Sequence, residues 1–168
     1  MRCYLYKESE DLPWLPHDSL LPVHQIDTRE LGVVVKSFKS KNEFLVWNKN
    51  GEYFAKDEIR ISYSTSNIEK LLHAFYKEHL HLDEEVRFIL DGAGYFDIRD
   101  KSDRWIRIKL EKGDFIRIPA GIYHRFTLDE NFSIHAMRLF SDQPKWVPYE
   151  RSEDTEELIV RQQYVNSL

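Results

Sequence analysis

A chain of 168 residues has the length of one domain and can bury a sizeable core, leaving little room for a second independent catalytic domain. Its 42% hydrophobic and 32% charged residues are ordinary globular values, and the 14% aromatic share is unlike that of a disordered chain. A net charge of -5 with scattered basic residues disfavours nucleic-acid binding, and the lone Cys3 excludes an intrachain disulfide, a cysteine-built zinc site and a dithiol redox pair. That cysteine usage fits a reducing intracellular compartment. Met1 to Pro16 lacks the apolar core of a signal peptide, and no run of roughly eighteen apolar residues occurs anywhere, so the chain reads as soluble, unexported and without membrane insertion.

Cys3 to Tyr6 reads as a short strand, after which Pro13, Pro16 and Pro22 prevent a long helix before Val23. Gly32 followed by Val33, Val34 and Val35 is strand-like, and Asn42 to Trp47 reads as a short helix. Asn67 is a plausible N-cap with Lys70 at N3, and Leu71, Leu72 and Phe75 form a helical stripe, placing a helix over Asn67 to Tyr76. From His79 the texture changes to short runs punctuated by Gly92, Gly94, Gly113, Pro119 and Gly121. The predicted strands are Val86 to Leu90, Tyr95 to Arg99, Trp105 to Leu110, Phe115 to Ile118, Tyr123 to Leu128 and Ile134 to Phe140. Short, evenly spaced strands predict an antiparallel sandwich or small barrel, mainly β. After Pro148 the acidic stretch Glu150 to Glu157 predicts a surface tail with at most a short helix. The expected layout is one domain over 1–168: a variable portion over 1–66, a helix and barrel core over 67–146, and a C-terminal surface segment over 147–168.

The stretch Glu78-His79-Leu80-His81-Leu82-Asp83-Glu84-Glu85 carries the chemistry. On a strand, alternate residues share a face, so His79 and His81 can reach one ion. Glu85 has the same parity and Glu84 the opposite one. Asp83 shares the parity too, and parity alone leaves it a rival of Glu85. His124 follows the turn at Pro119, Ala120 and Gly121, where a barrel can supply another ligand. An isolated His-x-His pair on a surface strand is usually functionless. The added acid, the glycine punctuation and the second element favour one divalent ion once the following resemblance is taken with them.

The pattern His79-x-His81-xxx-Glu85-xxxxxx-Gly92, followed by Gly113-xxxxx-Pro119-x-Gly121-xx-His124, resembles the two motifs of the cupin superfamily. One position departs: Leu128 stands where cupins often have Asn. Within cupins, three longer strings closely resemble the acireductone dioxygenase family. They are Phe75-Tyr76-Lys77-Glu78-His79-Leu80-His81, Arg87 to Asp100, and Pro119-Ala120-Gly121-Ile122-Tyr123-His124-Arg125-Phe126-Thr127. The resemblance runs from about Phe75 to Trp146, and upstream Leu31-Gly32-Val33 and Tyr53 to Ile59 resemble the family only loosely. It implies a cupin double-stranded β-helix, or jelly-roll barrel, with a few short helices, and His79, His81, Glu85 and His124 as ligands of one Fe(II) or Ni(II) ion per monomer.

The implied reaction belongs to methionine salvage. The substrates are O2 and 1,2-dihydroxy-3-keto-5-methylthiopentene; the iron form yields formate and 4-methylthio-2-oxobutanoate, and the nickel form formate, carbon monoxide and 3-methylthiopropanoate. The resemblance further implies a monomer of the cytoplasm and nucleus. Arg87 and Ile89 continue the parity of Glu85 towards the pocket; Arg87 can bind a substrate anion or pair with Glu85 itself. Phe75, Phe126 and Arg138 match family pocket positions, with Arg87 and Arg138 as the expected catalytic arginines. Core packing is the plain alternative for the aromatics. His17, His24, His73 and His135 read as surface or structural residues, and Tyr95 and Tyr123 as packing. Two other functions fit the same barrel: a metal cupin of other specificity, such as an isomerase or another dioxygenase, and a scaffold with a protein partner of unidentified nature. Eukaryotic members resemble such scaffolds in having reported interactions outside metabolism.

Overall fold

A computed structural model describes residues 2–20, 28–50, 53–140 and 147–168. Pro22, Val23, His24 and Trp146 lie outside the described residues. In chain order the strands are β1 (Arg2–Leu5), β2 (Val34–Ser37), β3 (Phe54–Ser62), β4 (His79–Leu80), β5 (Glu85–Arg99), β6 (Trp105–Glu111), β7 (Asp114–Ile118), β8 (His124–Leu128), β9 (Ser133–Phe140) and β10 (Tyr149–Glu150). The helices are α1 (Lys41–Trp47), α2 (Ile68–Tyr76), α3 (Glu153–Glu156) and α4 (Ile159–Ser167).

The two strands expected at Val86 to Leu90 and Tyr95 to Arg99 are one, β5, and that strand builds the barrel. Its first half pairs antiparallel with β7 and β9, and its second half with β6 and β8. One face therefore runs β2-β7-β5-β9-β3 and the other β1-β6-β5-β8-β4-β10. The crossing between them falls at the register shift between Ile89 and Asp91, followed by Gly92 at φ +74°. A Cβ at Gly92 would sit 2.1 Å from the Ser133 carbonyl oxygen, so only glycine lets β9 approach this closely. The bulge also switches which parity faces inward: Arg87 and Ile89 before it, Phe96 and Ile98 after it.

The two faces close on a core of branched aliphatics, with Ile89, Ile98, Ile106, Ile108, Leu110 and Ile116 nearly inaccessible to solvent. A second, aromatic cluster sits behind β5 and β7. There α1, capped by the Ser40 side chain accepting from the Glu43 amide, stacks Phe44 on Phe88 at 4.3 Å between centroids.

Three elements depart from the sequence reading. Strand β3 alternates inward Ile59 and Ile61 with outward Glu58 and Arg60, a signal confined to the strand's second half. Asn67 does precede α2, but in the left-handed conformation (φ 56°) with no side-chain cap bond; asparagine tolerates that region better than most residues. The C-terminal segment is more than a surface tail with one short helix. Helix α3 opens with a Ser152–Thr155 capping box, and α4 buries Tyr164, whose hydroxyl donates to the Leu31 carbonyl at 3.1 Å. Both helices clamp the turn before β8: Tyr123 Oη lies 2.7 Å from Thr155 Oγ1, and Arg161 donates to the Gly121 carbonyl at 3.2 Å. No helix among the described residues is long and apolar enough to cross a membrane.

Candidate metal centre

Four side chains converge inside the barrel: those of His79, His81, Glu85 and His124, with donor atoms all within 4.8 Å of one another. His79 on β4 stands directly across from His124 on β8 and from Glu150 on β10. The chain then leaves the sheet at His81 and bends through Leu82 and Asp83 before Glu85 opens β5. The simple parity argument over residues 79–85 is thus replaced by a tight bend. It turns Glu85 back towards the histidines, and Asp83 is not in the cluster. Glu84 faces elsewhere, 3.6 Å from Arg117.

Each imidazole is oriented from behind by a main-chain carbonyl. Nδ1 of His79 contacts Lys77 O at 2.7 Å, Nδ1 of His81 contacts Val147 O at 3.0 Å, and Nδ1 of His124 contacts Ile122 O at 3.0 Å. A carbonyl only accepts, so all three Nδ1 atoms carry the proton and the Nε2 lone pairs point at the common centre. Glu85 Oε2 lies 3.0 Å from His124 Nε2 and 3.3 Å from His81 Nε2. Imidazole nitrogens and a carboxylate facing one another are bridged either by protons or by a cation, and three imidazoles with one carboxylate suit a divalent transition ion.

The electrostatics keep the donors ready. Burial, reinforced by the charge of His124, pushes the His79 imidazole down to about 4, so it is neutral at physiological pH. Burial also opposes charge on His81, but the hydrogen bond and charge of Glu85 outweigh it and raise this imidazole. Burial alone would raise Glu85; the Arg87 guanidinium, and the His124 and His81 imidazoles when a proton rather than a cation sits on Nε2 and is donated to Glu85, instead hold it well below the usual carboxylate range. Arg87 Nη2 is 3.0 Å from Glu85 Oε1, so the salt bridge weighed for this arginine is present.

The centre lies in a cavity of about 300 Å³, at the small end of the range for small-molecule sites. Of the predicted pocket residues, Phe75, Arg87, Ile89, Phe126 and Arg138 all line it. Unforeseen are Ile59 and Ile61 from β3, Phe96 from beyond the bulge, Ala136 from β9, and Pro148 beside the His81 acceptor Val147. The alternation Glu58-Ile59-Arg60-Ile61 is the one sequence signal that points to β3; Phe96 was hidden by the parity switch.

Tyr95 and Tyr123 are buried packing residues, and His17 is a structural one, with Nε2 2.8 Å from the Leu12 carbonyl. His135 pairs with Glu58 at 2.7 Å, and His73 lies on α2; neither belongs to the cluster.

Gly94 sets the position of one aromatic wall. A Cβ there would sit 2.7 Å from Phe126 Cζ and 2.9 Å from the Thr127 carbonyl oxygen. Gly94→Ala should therefore displace Phe126 and destabilise the protein by about 1–3 kcal/mol, the usual cost of overpacking. Chemical denaturation checks this; an unchanged midpoint would show that the ring has room to move.

The ARD/ARD' family model matches residues 5–148. The acireductone dioxygenase of Phaeosphaeria nodorum is 46% identical over 98% of this chain and 95% of its own length. That of Tuber melanosporum is 45% identical over 100% of this chain and 98% of its own. Among solved structures, an acireductone dioxygenase from Bacillus anthracis with a cadmium ion in its active centre superposes with a TM-score of 0.62 at 32% identity, covering 72% of this chain and 84% of that one.

Proposed function

The chain belongs to the ARD/ARD' family and its activity is that of an acireductone dioxygenase, and we propose that it works with one Fe(II) or Ni(II) ion on His79, His81, Glu85 and His124. The observation that carries this reading is the common orientation of the three imidazoles. Their Nδ1–H groups are all tied to the main chain, which turns three Nε2 atoms and one carboxylate onto a shared centre.

When bound, the ion supplies Lewis acidity and a template for an anionic chelate, here the enediolate of 1,2-dihydroxy-3-keto-5-methylthiopentene. The protein's own residues do the rest. Arg87 and Arg138 stand side by side on the cavity wall and offer charge-assisted hydrogen bonds to the substrate oxygens. Ile89, Phe75 and Phe126 give the methylthio chain an apolar berth and keep water from the electron-rich carbons. The Lys77, Ile122 and Val147 carbonyls hold the ligand tautomers throughout, so no reorganisation is needed on binding.

On this reading the products are formate and 4-methylthio-2-oxobutanoate with iron, and formate, carbon monoxide and 3-methylthiopropanoate with nickel. Imidazole and carboxylate ligands accept both ions, and affinity rises from Fe(II) to Ni(II), so metal supply selects the outcome. The test is metal analysis of purified protein, then oxygen uptake and product analysis after loading each metal. One ion per chain and a different product set for each metal are expected; no turnover with either metal would sink the proposal.

A further inference from the structure

Antiparallel register aligns side chains in rows on the cavity wall. Arg87 on β5, Arg138 on β9 and Asp57 on β3 are direct cross-strand partners and form one row. Ile89, Ala136 and Ile59 form the next. Asp57 does not itself line the cavity, whereas the other five residues of these rows do.

Two cations on adjacent strands repel one another, and here each is flanked by an acid. Arg87 leans on Glu85 at 3.0 Å. Arg138 donates from both Nε and Nη2 to the two carboxylate oxygens of Asp57, the Nε contact at 2.6 Å. The row of Arg87, Arg138 and Asp57 is thus extended by Glu85, two residues before Arg87 on β5, and the contacts run acid, base, base, acid. It exists because β3 carries a register shift between Ala55 and Asp57. Without that shift position 56 would oppose Arg138, and a one-residue slip puts the wrong face inward.

We propose that Asp57 is a positioning residue for substrate binding: its fork holds the Arg138 guanidinium against the cavity wall beside Arg87, where an anionic enediolate meets both. The inference rests on the reading that Arg138 meets the substrate. It makes a prediction opposite in sign to simple Coulomb attraction. Removing a negative charge near an anion site should tighten binding if Arg138 stays in place unaided; if Asp57 orients it, binding should weaken.

The experiment compares nickel-loaded wild type, Asp57→Asn, Asp57→Glu and Arg138→Met, with Glu58→Gln as a control, because Glu58 is the next residue of β3 and pairs instead with His135 and Lys41. Asp57→Asn should raise KM about tenfold with kcat within about twofold, the size expected for losing a charge-assisted hydrogen bond used in binding. Metal content and melting temperature should match those of the control, and Asp57→Glu should recover most of the KM. A KM unchanged or lowered in Asp57→Asn while Arg138→Met raises it overturns the role of Asp57. A KM unchanged in Arg138→Met removes the underlying reading. Joint loss of metal and melting temperature in Asp57→Asn would reassign the residue to structure alone.

Discussion

His124→Ala should lose its metal and, with it, turnover by more than about a hundredfold. Outer partners of metal ligands alone are worth about 10–100-fold when removed, and His124 is a ligand. It is also the least replaceable of the four. The side chain is 2% exposed, so water has poor access to take its place. It faces Glu85 at 3.0 Å and lies tilted against His79 at 4.6 Å between ring centroids, so its loss leaves a gap at the middle of the donor set. Glu85 would keep its salt bridge to Arg87, which favours a collapsed, metal-free site over a three-ligand one. Metal analysis after gel filtration, with oxygen uptake in excess Ni(II) or Fe(II), measures both effects. His135→Ala, on the same barrel but outside the cluster, should change neither; retention of a full complement of metal by His124→Ala would remove it from the ligand set.

His79, His81 and an acid were legible in the sequence because they are local, whereas the choice of Glu85 over Asp83 and the addition of His124 came from the resemblance to the two cupin motifs. What the spacing could not convey was how the chain gets from His81 to Glu85. Parity presumed a continuous strand, and the structure has a bend there, so parity was an incomplete reason for Glu85 and gave Asp83 equal standing. The pocket was only half legible for a similar reason. Arg87 and Ile89 follow from Glu85 by alternation, but the bulge after Ile89 reverses the parity and hides Phe96. Strand β3 carries its apolar alternation only at Ile59 and Ile61, and its other end, Phe54 to Glu58, does not alternate, so Asp57 had no local signature at all. The C-terminal helices were obscured by composition. Glu150 to Glu157 is acidic because its carboxylates face solvent and pair with arginines, such as Arg161 with Glu156 at 2.9 Å, while only Thr155 and Tyr164 of the two helices are buried.

Arg107 presents the largest expected effect on stability. It is wholly buried on β6, and its fork meets Asp97 of β5 with Nε to Oδ1 at 2.6 Å and Nη2 to Oδ2 at 2.8 Å. Its remaining nitrogen, Nη1, donates to the Pro13 and Leu15 carbonyls at 3.0 and 2.6 Å, so one guanidinium fastens the proline-rich N-terminal segment to the barrel. The rings of Tyr6 and Tyr95 lie 4.5 and 4.7 Å from its centre. Arg107→Leu leaves a buried carboxylate with only Arg125, 2.8 Å away, and strands two carbonyls. Breaking a buried pair from one side costs about 3–5 kcal/mol, which in a chain of this size lowers the melting temperature by roughly 6–20 °C. Removing both charges, as in Arg107→Leu with Asp97→Leu, should cost less than the two single changes added together, because no orphaned ion remains between these two positions. Denaturant unfolding of the two single variants and the double variant measures that coupling. A single change costing under about 1 kcal/mol would show that water or Arg125 compensates the carboxylate. Since β5 also carries Glu85 and Arg87, the metal content of Arg107→Leu at a temperature where it stays folded tells whether this clamp serves the fold alone or the centre as well.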